Sequence, residues 1–172
     1  MRYRCRRYSR QGAYGYTVYT CSRCGDSYSE KIAPTYTKVS TFSSGSDYVI
    51  TLVSGNRYYA LSHANNRISA VQVTVSNGQI TSDIRENLIW TYSGNKLGYK
   101  SGSSTYYLYA SSSNSWWGGW WGSASLNLST TSSSNVSLSG SKLRVGSYYL
   151  RYSGGSVSLN SSGTTANIFI EE

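Results

Sequence analysis

One motif is written twice in this chain. Asn135–Tyr152 reads NVSLSGSKLRVGSYYLRY, and Asn87–Tyr109 reads NLIWTYSGNKLGYKSGSSTYYLY. Both run from an Asn through a short apolar stretch to Ser-Gly-x-Lys-Leu, then through a Gly/Ser turn to Tyr-Tyr-Leu. Arg57-Tyr58-Tyr59-Ala60-Leu61 carries a weaker third copy of the last element. A unit this short cannot bury an apolar face alone, so the copies must pack on one another.

Apolar residues alternate with polar ones inside these units, which is the period of a strand. The eighteen tyrosines and scarce helix formers agree, and 15% aromatic content argues against disorder. The expected class is all-β. From Asp47 onward twelve strand-like runs follow in three groups of four. YVITLV (48–53), YYALS (58–62), ISAVQVTV (68–75) and LIWTY (88–92) form the first. KLGYK (96–100), YYLYA (106–110), ASLNLS (124–129) and VSLS (136–139) form the second. KLRV (142–145), YYLRY (148–152), SVSLN (156–160) and NIFIE (167–171) form the third. Ser-Gly-Asn, Asn-Gly and Ser-Gly-Gly between them supply the positive φ angles of tight turns. A period of roughly 40–48 residues with four strands per copy matches a β-trefoil, with a β-sandwich as the alternative. Expected core residues are the Leu of each Tyr-Tyr element, Trp90, Leu138, Ile168 and Ile170. The expected division is a Cys-containing ribbon over 1–34, a linker or lead-in over 35–46, and the repeat domain over 47–172.

The first segment holds all three cysteines: Cys5, then Cys21 and Cys24 in Cys-Ser-Arg-Cys-Gly. The preceding Tyr16-Thr17-Val18-Tyr19-Thr20 gives this the form of a zinc knuckle on a hairpin, with Gly25 free to turn the backbone. A closed zinc site takes four ligands, and this segment offers three. Zinc on Cys5, Cys21 and Cys24, a disulfide from Cys5 to one knuckle cysteine, and free thiols all stay open. No other cofactor is indicated.

Cys5, Cys21, Cys24, Gly25, Glu30 and Ile32 resemble a cysteine-containing repeat of large surface proteins of gut Firmicutes. That repeat closes with Gly-His, where this chain has Pro34-Thr35-Tyr36. Residues 47–172 in turn resemble a Ser/Tyr-rich module of the same surface proteins, also found in phage proteins. The matching residues are Tyr48/Ile50, Ala60/Leu61, Val73-Thr74-Val75 through Ile80, Trp90/Tyr92 and Tyr148-Tyr149-Leu150-Arg151-Tyr152. The resemblance implies a cell-surface, extracellular or virion setting and no particular chemistry. The chain as given carries no run of roughly 18 apolar residues and no secretory leader behind its basic start. A cytoplasmic location is the other expectation.

Catalysis finds little footing. His63 is the sole histidine, no G-x-S-x-G elbow surrounds any serine, and no phosphate-cradling loop occurs. A Cys–His pair from Cys21 or Cys24 with His63 conflicts with knuckle geometry. Asp83-Ile84-Arg85-Glu86 reads as a turn rather than a carboxylate pair. The chain is expected not to be an enzyme.

Recognition is better supported. SSSNSWWGGWWGS (111–123) interrupts the middle copy with Asn114, Trp116, Trp117, Trp120 and Trp121 around two glycines. Indole faces suit sugar rings or a protein neighbour, so a glycan or cell-wall polymer bound lectin-fashion is the leading expectation. A protein partner or self-association in a phage or surface assembly is the rival, and rings capping a barrel end is the structural alternative. Net charge is +9. Residues 1–46 hold eight basic side chains against two acidic ones, concentrated in Arg2, Arg4, Arg6, Arg7 and Arg10 among tyrosines. Such an arm fits a solvated tail or nonspecific contact with nucleic acid.

Overall fold

The computed structural model describes residues 8–11, 14–20, 25, 27–32, 34–112 and 124–172. The chain divides into two compact units, Met1–Thr35 with Glu172, and Tyr36–Glu171. In the first, β1 (Tyr8–Gln11), β2 (Tyr14–Thr20) and β3 (Ser27–Ile32) form an antiparallel meander in that order. Thr20 stands opposite Ser27, and Gly25 between them has φ +77°. That left-handed conformation is one glycine adopts without steric cost.

The regular structure of the second unit is antiparallel strand apart from two single-turn 3₁₀ helices, Ala64–Asn66 and Glu86–Leu88, among the described residues. Its strands are β4 (Tyr36–Val39), β5 (Ser46–Ser54), β6 (Arg57–Ser62), β7 (Ser69–Val73), β8 (Val75–Ser76), β9 (Gln79–Ile80) and β10 (Ile89–Ser93). There follow β11 (Lys96–Ser101), β12 (Ser104–Ser112), β13 (Ala124–Ser129), β14 (Val136–Ser139), β15 (Lys142–Val145), β16 (Tyr148–Ser153), β17 (Ser156–Asn160) and β18 (Ala166–Glu171). They make two ladders. One runs β13-β12-β11-β10-β5-β18-β4-β9-β8, with β6 and β7 attached to β5; the other runs β14-β15-β16-β17. The ladders do not close into one continuous sheet.

Each of the twelve expected segments contains a strand, and the three copies repeat their pairing. The triplets β5-β6-β7, β11-β12-β13 and β15-β16-β17 are three-strand meanders. Thr51, Gly98 and Arg144 hold the same place in them, opposite Ala60, Tyr107 and Tyr149 on one side and Asn167, Thr91 and Ser137 on the other. Individual bonds repeat too. Val136 N donates to Asn95 O and Ala166 N to Ser141 O, both at 2.7 Å, and each acceptor belongs to a Ser-Gly-x-Lys turn. Leu108 O accepts from Ser134 N and Leu150 O from Thr164 N. Ser134 Oγ and Thr164 Oγ1 then accept from Ala110 N and Tyr152 N, both at 3.0 Å. In the first copy the Trp90 indole replaces the backbone donor, giving Nε1–H to Leu61 O at 2.9 Å.

Leu61, Leu108, Leu150, Trp90 and Ile168 are fully buried in one cluster with Tyr48, Ile50, Leu52, Leu97 and Leu143. Burial of each such side chain contributes about 1.5–3 kcal/mol. Leu138 and Ile170, expected in the core, are only half-buried against it. A second cluster was not anticipated: Tyr36, Val49, Ala60, Val73, Ile80, Ile84, Leu88 and Phe169. It exists because β5 and β18 bury both faces. Tyr48, Ile50 and Leu52 point one way and Val49 the other, as do Ile168 and Phe169. The outer face is covered by β4, β9 and the Glu86–Leu88 turn. Residues 36–39, read as lead-in, are therefore a strand, pairing with β18 from Tyr36↔Glu171 to Val39↔Ile168. The run ISAVQVTV breaks at Thr74, and β8 turns back through Asn77 and Gly78 (φ +51° and +78°) into β9.

Candidate ligand-binding surfaces

The three copies differ most where their second and third strands join. β6 and β7 are linked by residues 63–68, and β16 and β17 by Gly154-Gly155 alone. β12 and β13 are linked by residues 113–123, and their ladder runs in register from Tyr107↔Ser129 to Ser112↔Ala124. The tryptophan segment therefore leaves and re-enters the fold at adjacent strand ends. Asn114, Trp116, Trp117, Trp120 and Trp121 lie outside the described residues. Cys5, Cys21, Cys24, Arg2, Arg4, Arg6 and Arg7 do so as well, and only the backbone of Arg10, within β1, is described.

The hairpin that carries the segment has two unlike faces. Leu108, Ala110, Leu126 and Leu128 pack toward the core. Tyr109, Ser111, Ser125 and Asn127 alternate with them, as the two-residue period of a strand requires. Asn127 Nδ2 donates to Ser111 Oγ at 2.9 Å and to Ser125 O at 3.3 Å. This face of the hairpin is thus hydroxyl, amide and phenol. Among the described residues the exposed large hydrophobic is Val71, at 45%.

A second feature lies beside the repeat junction. Gly94 and Asn95 (φ +56° and +61°) form the turn between β10 and β11, and Asn95 O ties this turn to β14 through Val136 N. Between turn and hairpin opens a cavity of about 400 Å³, lined by Tyr92, Asn95, Asn135, Val136, Ser137, Arg144 and Gly146. Tyr92 is held from behind by Phe42, stacked at 4.3 Å and 12°. Its hydroxyl lies 3.2 Å from both Asn95 Oδ1 and Val136 O. Gly146 N donates to Asn135 O at 2.8 Å, steadying the far wall. Among the described residues that line it, none is acidic.

His63 belongs to a third arrangement. Its ring stacks on Tyr99 at 3.6 Å and 11°, stands edge-on to Trp90, and Nε2 donates to Ile89 O at 3.1 Å. Tyr99 in turn stacks on Tyr106 and gives its hydroxyl to Asn66 Oδ1 at 2.7 Å. Burial lowers the His63 pKa below its ordinary value, so the ring is neutral and engaged in packing. Asp83 and Glu86 are exposed, Glu86 opening a 3₁₀ turn. Among the described residues no three His, Cys, Asp or Glu side chains gather as a metal site would require, and no helix is long and apolar enough to cross a membrane. At the end of β17, Asn160 Oδ1 accepts from Ser162 N and Gly163 N, as a turn-forming Asn does.

No protein-family model, curated protein or solved structure matches the chain.

Proposed function

We propose that this protein is a non-catalytic recognition module on a β-trefoil scaffold, binding a glycan or cell-wall polymer through Trp116, Trp117, Trp120 and Trp121. One observation carries this reading. Of three equivalent hairpin connections, the middle one alone is long, and it holds four of the five tryptophans in the chain. A scaffold built by repetition needs no such insertion, and an insertion this rich in indole points to use.

The trefoil reading is supported by the threefold agreement of register and by the paired bonds Val136 N to Asn95 O and Ala166 N to Ser141 O. These link each Ser-Gly-x-Lys turn to the next copy's partner strand. An isolated Lys142↔Thr165 bridge adds a contact between the two ladders. Glycan as ligand is supported by the polar hairpin face, since sugars need aromatic planes for their C–H faces and amide or hydroxyl groups for their rims. The resemblance of the repeat motifs to surface-protein modules favours an extracellular or virion setting.

The test is a glycan array probed with wild type and with all four loop tryptophans replaced by alanine. Binding lost at unchanged thermal stability supports the reading. Binding retained by the variant rejects the loop as the site, and a shift from oligomer to monomer in the variant transfers it to subunit assembly.

A further inference from the structure

We infer that the cavity between the β10–β11 turn and the β14–β15 hairpin is a subsite for one acidic sugar, with Arg144 receiving the carboxylate of a uronate unit. This rests on the glycan reading above and adds to it the charge of the ligand.

The argument starts from a position where the copies disagree. Arg144 holds the place of Gly98 in the second copy and Thr51 in the first. Thr51 is fully buried. At Gly98 any side chain would run into Tyr107, whose Cδ1 lies 2.8 Å from where a Cβ would stand. Only in the third copy is this position open, and there the chain places a cation. The Arg144 side chain is exposed and has no hydrogen-bond or ion-pair partner among the described residues. Ser137 flanks it across one strand pairing and Tyr149 across the other.

The rest of the cavity is neutral and polar. Asn95, Asn135 and Ser137 offer amide and hydroxyl groups, and the Tyr92 phenol lines the wall. The walls are set before any ligand arrives. Asn95 is fixed by its turn and its bond to Val136 N, and Asn135 by its bond from Gly146 N. About 400 Å³ is at the lower end of the range for small-molecule sites. One guanidinium among amides and hydroxyls matches one charge per several hydroxyls, as in a uronate. A nucleic acid would instead call for a row of cations along its phosphates. The planar fork of arginine pairs in bidentate fashion with a planar carboxylate.

The test is amide-resolved NMR titration of the full chain with D-glucuronate, its uncharged methyl ester, glucose and glucose 1-phosphate. We expect glucuronate to move the signals of Asn95, Ser137 and Arg144 saturably, with the ester and glucose at least roughly tenfold weaker. Arg144→Ala should weaken glucuronate by roughly tenfold at unchanged melting temperature, and Arg144→Lys should restore part of it. Equal response to glucuronate and its ester, or preference for the sugar phosphate, overturns the uronate assignment. Glucuronate shifts elsewhere with none at these three residues overturn the subsite, while neutral glycans held by the tryptophan segment on the array keep the broader reading intact. Wild type that binds no array glycan yet keeps the glucuronate response at these three residues overturns the tryptophan-segment reading and leaves the subsite standing.

Discussion

Gly98→Ala should destabilise the protein, against the usual effect of that change. Glycine inside a strand ordinarily costs roughly 0.5–1 kcal/mol relative to alanine, so alanine would be expected to help. Gly98 is buried in the middle of β11, opposite Tyr107. A Cβ there would stand 2.6 Å from Tyr106 O, 2.8 Å from Tyr107 Cδ1 and 3.2 Å from Tyr107 Cε1. The ring can shift, but the carbonyl is part of the ladder and cannot move without breaking strand pairing. Overpacking of this kind costs about 1–3 kcal/mol. For a domain of this size that lowers Tm by roughly 3–10 °C. Thermal unfolding of Gly98→Ala measures it, and Gly98→Ala with Tyr107→Ala tells the two contacts apart. The second change should recover only part of the loss, because the carbonyl contact remains. Arg144→Ala at the equivalent position is the control, with a change within about 0.5 kcal/mol since its side chain is exposed. A Tm that rises in Gly98→Ala would refute the register of β11 against β12.

Two further predictions concern single buried groups. Thr51 is fully buried and its hydroxyl has no hydrogen-bond partner among the described residues, so Thr51→Val should stabilise by about 1 kcal/mol, read as a higher urea midpoint at unchanged slope. His63 has a folded-state pKa held below its ordinary 6.5 by burial. Its contribution is therefore complete above pH 6.5, where both states are neutral. As pH falls further the unfolded chain takes the proton first, and stability declines until the lowered folded-state value is passed. Urea unfolding across this window should show that slope, and His63→Phe, which keeps a ring against Tyr99, should flatten it; an equal slope in both proteins would clear His63 of the effect.

The repeat was legible because its signals are local. Ser-Gly-Asn-Lys announces a turn with two positive φ angles, and Gly94 and Asn95 adopt them. Alternation around Tyr-Tyr-Leu separates inward Leu108 and Leu150 from their outward neighbours. The second core was not read, since its cover comes from far along the chain: β4 reaches β18, and β9 reaches β4. A trace of it was present in Tyr48-Val49-Ile50 and Ile168-Phe169-Ile170, where consecutive apolar residues stand and a strand with one wet face would alternate. The first copy also aligns on Leu61 rather than on its tyrosine pair. Ala60 there stands where Tyr107 and Tyr149 stand in the others, because that face is covered. Arg144 could be noticed in KLRV against KLGY, but its meaning depended on knowing which of the three equivalent positions faces solvent. The tryptophan segment, the cysteines and most of the basic arm lie outside the described residues, so their reading stays with the sequence.

The central claim is that recognition resides where the copies differ, in the tryptophan segment. It is tested most directly by titrating the strongest array glycan into a Trp90→Phe protein, in which the four loop tryptophans are the only indoles, and following fluorescence and its quenching by acrylamide. The account predicts a saturable emission change and protection from quenching at the concentration that saturates binding. Glycan bound to saturation with emission and quenching unchanged would contradict it.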